Sequence, residues 1–155
     1  MNKTILFALI VLLSLSCSQS PSNTSSNSID TTGAWIREAP PNASMLAGYV
    51  TITNNSDQER ILTSAKSKQF EMVEIHKTIV EDGVAKMRRQ DDLAIPAGAS
   101  LVLEPGSYHL MLMHPTGALK ANDEVTVTVS LKSGESANAD IDDIDIVMPV
   151  KKPNS

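Results

Sequence analysis

After residue 28 the hydrophobic positions repeat with the two-residue period of β-strands, and no stripe with the period of a helix is long enough to predict one. The alternation is strict at residues 125–131, where apolar side chains alternate with threonine and serine, so one face is expected in the core. Other short strand-like runs, separated by turn residues, lie at residues 48–53, 72–80, 84–89, 101–103, 108–113 and 141–148. Short strands at regular spacing predict an all-β sandwich.

The first 17 residues have the pattern of an export signal. A positive start at Lys3 precedes an apolar run over residues 5–15, which is too short to cross a bilayer comfortably and ends in small residues. Cys17 follows directly, and this arrangement resembles a bacterial lipoprotein signal, in which the cysteine becomes the lipidated first residue. The alternative is an ordinary signal peptide that is cut nearby, with Cys17 removed. Both alternatives predict a protein of the periplasm or cell envelope, and lipidation at Cys17 would anchor it to a membrane.

The rest of the chain divides into a tether, one domain and a tail. Residues 18–28 are Ser, Asn, Gln, Pro and Thr, which bury nothing, so this stretch is expected to be a flexible tether. The folded domain is predicted to span residues 29–150, and residues 151–155 form a polar tail. A chain of 155 residues suits one such domain and not two, and we expect a monomer.

The composition excludes several classes of function. Lys and Arg number 13 against 18 Asp and Glu, with two Phe, two Tyr and one Trp, so no basic, base-stacking surface for nucleic acid is expected. The single cysteine excludes an internal disulfide and a cysteine zinc site, and the folded domain lacks the thiolate of a blue-copper electron-transfer site. The acidic run at residues 140–145 is expected to be a solvated face, and no nucleophile-elbow sequence occurs. We therefore predict that the protein is not an enzyme.

A histidine and a methionine share one face of a predicted hairpin. If Asp82-Gly83 is a two-residue turn, Thr78 faces Met87 across the hairpin, and His76 lies two residues from Thr78 on the same face. His76 and Met87 are then diagonal neighbours, about 7–8 Å apart at their α-carbons and within reach of each other's side chains. The opposite face of the first strand carries valine and isoleucine, so the pair lies on the face that does not supply the core.

A second pair lies in the run over residues 108–113. His109 and Met111 are two residues apart and point to the same side of a strand, whereas Leu110 points to the other side and can pack in the core. Met113 continues the face of His109 and is a candidate auxiliary ligand. His114 falls on the opposite side or in the following loop.

The four donors His76, Met87, His109 and Met111 together favour one kind of metal. Thioether sulfur is soft and uncharged, which makes it a poor ligand for zinc, calcium or magnesium and a suitable one for Cu(I). Taken singly, a histidine on a strand is more often a surface residue, and a methionine is more often a flexible core filler. The combination of two imidazoles and two thioethers, in two pairs that each share a strand face, is what favours copper.

The spacing of these residues resembles the H-x10-M-x21-H-x-M signature of the PCu(A)C family, the periplasmic copper chaperones. His76, Met87, His109 and Met111 match all four positions and all three gaps. The surrounding sequence is also similar at residues 34–37, 47–54, 74–76, 96–98 and 103–113, so the resemblance covers about residues 32–148. Thr78 is a departure, because many members carry a methionine there.

The resemblance implies a cupredoxin-like Greek-key β-sandwich that binds one Cu(I) at an exposed site of two histidines and two methionines. It also implies delivery of copper towards cytochrome c oxidase assembly, either to an oxidase subunit or together with a Sco-type protein. A copper-storage, scavenging or resistance protein would use the same ligands, and a structural or adhesion lipoprotein is a more distant alternative. The cations near the first pair either orient an acidic partner or are ordinary solvent-facing residues; they are Lys77, Lys86, Arg88 and Arg89.

Overall fold

The computed structural model describes residues 28–134 and 140–153. The predicted leader with Cys17, the tether up to residue 27 and the last two residues of the tail lie outside these ranges. Ten strands form the described part: β1 Ile29–Arg37, β2 Met45–Asn54, β3 Arg60–Lys66, β4 Phe70–Glu81, β5 Val84–Arg89, β6 Leu93–Ile95, β7 Ser100–Leu103, β8 Tyr108–Pro115, β9 Glu124–Ser133 and β10 Ile141–Lys151. Within the described ranges there is no helix, and hence none of the length and apolarity needed to span a membrane. The all-β prediction is confirmed.

Seven strands form a sheet that closes on itself. Their order is β4-β8-β2-β1-β10-β9-β3, and β3 returns to β4 through the pair Ala65 and Val73. The β1–β10 pairing is parallel, whereas β8 runs antiparallel to both of its neighbours, β4 and β2. The short strands are attached to this ring, β5 to β4, β6 to β3 and β7 to β2. This topology brings the β4–β5 hairpin side by side with β8 and β2, although these three parts are far apart in the sequence.

The core is supplied by alternate residues of the strands, as the hydrophobic pattern predicts. The buried residues that confirm the predicted inward faces are Val73, Ile75, Leu110, Leu112, Val125, Val127, Val129 and Leu131. Because successive side chains of a strand point to opposite faces, burial of these residues turns their neighbours on β4 and β8 outward. The outward neighbours include the candidate histidines and methionines.

The β4–β5 hairpin has the predicted register. Asp82 and Gly83 have φ angles of 52° and 75°, and positive values at both central residues define the type I′ turn that suits the twist of a hairpin. Glu81 pairs with Val84, and Thr78 pairs with Met87. The local turn chemistry therefore fixes which residues of β5 face which residues of β4.

The hydrophobic pattern did not predict β1, β3 or β6. In β1 the register with β2 shifts between Thr32 and Trp35, around Gly33 with φ 64°, and in β3 the register with β9 shifts between Leu62 and Ser64. Such an irregularity adds a residue to one strand and breaks the two-residue alternation. β6 has only three residues, which is too short for a periodic pattern.

The acidic residues of β10 are paired with cations and hydroxyl groups of the adjoining strands. Arg60 lies 2.8 Å from Asp142, and Lys66 lies 2.7 Å from Asp143. The hydrogen bonds from Lys66 and Ser130 hold the pKa of the Asp143 carboxyl below its usual value. These contacts explain the acidic run as the exposed start of β10, held by cross-strand contacts on both faces.

Candidate metal centre

The outward side of β5, β4, β8 and β2 carries most of the soft donors of the described chain. We call this side the donor face, and define it by His76, His109, Met45, Met72, Met87, Met111 and Met113. Strand pairing sets its residues in four rows across the sheet. The rows are Met45, Met113 and Met72; Met111 and Glu74; His109 and His76; and Thr78 and Met87. Neighbouring rows on one face are about 6.8 Å apart along the strands.

The two histidines are direct cross-strand partners. His76 of β4 pairs with His109 of β8, and their ring centroids are 6.0 Å apart with an angle of 51° between the ring planes. The sequence predicted that each histidine shares a face with a methionine, but it did not predict that the two histidines face each other. That juxtaposition follows from the pairing of β4 with β8.

The ring of His109 is buried and has a defined free nitrogen. His109 is 3% exposed, and its Nδ1 lies 3.1 Å from the carbonyl oxygen of Ser107. A carbonyl oxygen only accepts, so Nδ1–H is the donor and Nε2 carries the lone pair. Within the described chain no hydrogen-bond partner reaches this buried Nε2. A buried acceptor without a partner is costly to the folded protein, by about 1–3 kcal/mol, unless a ligand completes it.

The ring of His76 is oriented by a carboxylate that sequence reasoning missed. His76 Nε2 lies 2.8 Å from Glu74 Oε2, and the Nη1 of Arg89 donates to the other oxygen of Glu74 at 2.9 Å. The carboxylate accepts from Nε2–H, which leaves Nδ1 with the lone pair, and Nδ1 is buried with no partner among the described residues. The available sequence signal was the alternation of β4, which sets Glu74 on the face of His76.

The two predicted thioether ligands lie on opposite sides of the histidine pair and differ in exposure. Met111 is 8% exposed and pairs with Glu74, one row from His109. Met87 is 58% exposed and lies on β5, all six residues of which are exposed. The structure therefore brings the buried His109 and Met111 together with the partly buried His76, and Met87 lies at the solvent-exposed rim. Met113 lies one row beyond Met111 on the donor face.

The donor set fits a soft monovalent ion better than a hard one. In the part of the chain that the structure describes, no three His, Cys, Asp or Glu side chains gather into a group that could hold a metal ion. The orphaned imidazole nitrogens and the neighbouring thioethers are neutral donors, so they can hold a monovalent soft ion without burying additional charge. His114 takes no part, because it is exposed and lies 3.5 Å from Glu71.

The cations near the hairpin already have partners within the domain. Lys86 and Arg88 donate to Glu81, and these hydrogen bonds hold the pKa of the Glu81 carboxyl below its usual value. Lys77 lies 4.8 Å from the ring centroid of Tyr108, and Arg89 is held by Glu74. These contacts favour the interpretation that the four cations are ordinary strand residues that support the hairpin, over the alternative that they orient an acidic partner.

The closed all-β fold is that of PCuAC domains. The structure described as "Copper-bound PCuAC domain from PmoF2" has a TM-score of 0.63 and 19% sequence identity, over 81% of this chain and 94% of that chain. The solution structure of CuI-DR1885 from Deinococcus radiodurans has a TM-score of 0.56 and 30% identity, over 79% of this chain and 77% of that one. The predicted resemblance to PCu(A)C proteins and the cupredoxin-like fold are thus confirmed.

The chain belongs to the family described as "Putative lipoprotein LpqE-like", whose family model matches residues 29–142. "Putative lipoprotein Lxx21020" of Leifsonia xyli subsp. xyli is 29% identical over 105 residues, which is 67% of this chain. "Uncharacterized protein RP573" of Rickettsia prowazekii is 35% identical over 83 residues, or 53% of this chain. The chain spans 62% of the length of the first relative and 46% of the second.

Proposed function

We propose that this protein binds one Cu(I) ion at His76, Met87, His109 and Met111 and passes it to another protein. The observation that carries the proposal is the pair of facing histidines, each with a buried nitrogen that has no partner in the described chain. The two thioethers beside them are donors that suit Cu(I). The likeness to CuI-DR1885, at 30% identity, supports the same ion, and the PmoF2 domain is a copper-bound protein of the same fold.

The four donors have different roles in this proposal. Nδ1 of His76 and Nε2 of His109 supply the borderline donors, each set by a hydrogen bond on the other nitrogen of its ring. Met111 supplies a buried thioether beside them, and Met87 completes the set from the exposed hairpin. Because Met87 is solvent-accessible and its thioether binds weakly, an acceptor protein can displace it first. The site then opens by losing one ligand, without unfolding of the domain.

The exposure of Met87 favours delivery over storage as the role of the bound copper. A storage site gains from enclosing its ion, whereas the site proposed here keeps one ligand at the surface. We propose a binding role without catalysis, an envelope location with a lipid anchor at Cys17, and an acceptor in cytochrome c oxidase assembly, either an oxidase subunit or a Sco-type protein. The lipoprotein description of the family and of the Leifsonia relative supports the anchor.

An anaerobic Cu(I) titration against a chromogenic chelator tests the proposed function. We expect one equivalent of Cu(I) to be withheld from the chelator, with X-ray absorption showing both nitrogen and sulfur neighbours of the copper. Rapid transfer from the loaded protein to a dithiol acceptor would support delivery, whereas retention would indicate storage. If the protein withholds no copper, the proposal is wrong, and a structural or adhesion role becomes the better explanation.

Glu74 is expected to support copper binding through His76 without touching the ion. Replacing Glu74 with alanine should weaken Cu(I) affinity by about 10–100-fold, because outer partners that orient a histidine ligand contribute on that scale. Glu74→Gln should recover part of the loss, since an amide oxygen still accepts from Nε2–H. Glu71→Ala is the matched control, because Glu71 lies on the same strand, is exposed and contacts His114 instead. Equal losses in the Glu74→Ala and Glu71→Ala variants, measured by the same competition titration, would contradict this role.

A further inference from the structure

Three methionines form a row on the donor face beside the proposed copper site. Met113 of β8 pairs with Met45 of β2 on one side and with Met72 of β4 on the other. Directly opposed residues of antiparallel strands have Cβ atoms about 4.5–5.5 Å apart, so the three side chains leave the sheet next to each other. We call Met45, Met113 and Met72 the methionine row.

The methionine row is open to solvent, although its side chains are large and apolar. Met45 is 53% exposed and Met72 is 49% exposed, and Met113 is partly exposed between them. Contiguous exposed apolar side chains on a soluble domain usually mark a binding site. Exposed strand positions also favour β-branched and aromatic residues, a set that does not include methionine. Three directly adjacent methionines therefore need an explanation other than strand formation.

The distribution of methionine along the chain indicates that the donor face uses methionine for its thioether sulfur and not for its apolar character. Six of the seven methionines fall within the described residues, and the fully buried Met148 is the one of these six that packs in the core. The other five all lie on the donor face with the two histidines: Met45, Met72, Met87, Met111 and Met113. Protein-binding surfaces enrich aromatic residues and arginine as well as methionine, whereas the three opposed residues of this row are all methionine. Repeated use of thioethers beside two imidazoles points instead to a soft metal ion.

We propose that the methionine row is a second site, made only of thioethers, for a soft monovalent ion, either Cu(I) or Ag(I). Each methionine has three rotatable bonds, so three side chains from adjacent strands can turn their sulfur atoms towards one ion. Three neutral donors match an ion of single charge, and the net charge of −5 attracts cations to the molecule. Without an imidazole, this site binds its ion more weakly than the proposed copper site at His76, Met87, His109 and Met111 does.

The position of the methionine row suits it to load the deeper site. Met113 lies two residues from Met111 on the same face of β8, a separation of about 6.8 Å along the strand. An ion captured at the exposed row can therefore exchange its thioethers one at a time for Met111 and then His109. This loading step rests on the proposed function, whereas binding at the row does not.

Silver binding followed through the methionine methyl groups tests the second site. Protein labelled with 13C at the methionine methyl groups is titrated with silver nitrate in chloride-free buffer, using the His76→Ala/His109→Ala variant as well as the unaltered chain. In both proteins we expect the Met45, Met72 and Met113 methyl resonances to shift along one common saturation curve. The Met148 methyl should stay in place as the internal control, because that side chain is fully buried.

A leucine variant separates sulfur ligation from apolar contact. Met45→Leu/Met72→Leu keeps the apolar volume at two exposed positions, so the domain should remain folded. We expect this variant to lower Ag(I) affinity at the row at least about tenfold, judged by the Met113 methyl, because two of three donors are lost. If the Met45 and Met72 methyls do not move while those of Met87 and Met111 do, the second site is refuted and the proposed function stands. If, in the unaltered chain, the methyl resonances of the methionine row shift with silver and those of Met87 and Met111 do not, the second site stands and the proposed function fails.

Discussion

Replacing His109 with alanine is expected to lower Cu(I) affinity by more than about 100-fold, because it removes a ligand and not merely an outer partner of one. The loss should be large since Nε2 of His109 is already buried, free of hydrogen bonds within the described chain and set in its tautomer by the Ser107 carbonyl. No rearrangement of the ring is needed for it to bind an ion. The anaerobic competition titration measures the effect directly.

His114→Ala is the matched control for this prediction. His114 is the next histidine on the same strand, but it is exposed and lies beside Glu71, away from the His76–His109 pair. Its removal should leave Cu(I) affinity unchanged, and circular dichroism should show both variants folded. Equal affinities for His109→Ala and the unaltered protein would contradict the assignment of His109 as a ligand. A loss with His114→Ala as large as that with His109→Ala would mean that copper binds somewhere other than the facing histidines.

Replacing Met87 and Met111 together with leucine is expected to produce the second large loss of Cu(I) affinity, by orders of magnitude in the same titration. Leucine keeps the apolar volume and changes only the donor atom, and such exchanges usually cost less than about 1.5 kcal/mol of stability. Copper affinity should therefore fall while the unfolding midpoint of the copper-free protein changes little. The two imidazoles remain as ligands of the proposed site, so X-ray absorption should show fewer sulfur neighbours of the copper than in the unaltered protein.

The single variants and a core methionine refine this test. Met148→Leu is the control, because Met148 is fully buried and lies away from the donor face. Met87→Leu should mainly slow the transfer of copper to an acceptor, since Met87 is the exposed ligand that an incoming protein displaces first. Unchanged affinity in the Met87→Leu/Met111→Leu variant would exclude the two thioethers as ligands.

The local parts of the fold could be predicted from the sequence with good accuracy. The predicted strand at residues 84–89 has the observed bounds, and the Asp82-Gly83 turn sets Thr78 opposite Met87 as expected. Turn chemistry and the two-residue period act between neighbours in the chain, so they can be read without knowing the rest of the fold. Strands β1 and β3 escaped prediction because register shifts at Gly33 and near Thr63 interrupt that period.

Some features of the candidate site could likewise be predicted from the local sequence, whereas others depend on the structure. The donor types and the face on which each lies followed from the sequence, because alternation assigns His76, His109 and Met111 to the side away from the leucine, valine and isoleucine core. The carboxylate of Glu74 lies on the same face, but its contact with His76 could not be predicted, because it depends on side-chain orientation within one strand. The alternation of the strand was sufficient to place Glu74 next to His76 but not to predict the hydrogen bond between them.

The sequence by itself determined that this is an all-β domain with two histidine–methionine pairs on outward faces, because turns and alternation are encoded over a few residues. Only the tertiary structure decided that β8 lies between β4 and β2, which sets His76 opposite His109 and aligns Met45, Met113 and Met72. The reason is physical: strands distant in the chain choose neighbours and register by the fit of the whole closed sheet around its core. No local pattern carries that choice, so the facing imidazoles and the methionine row emerge when the sheet closes.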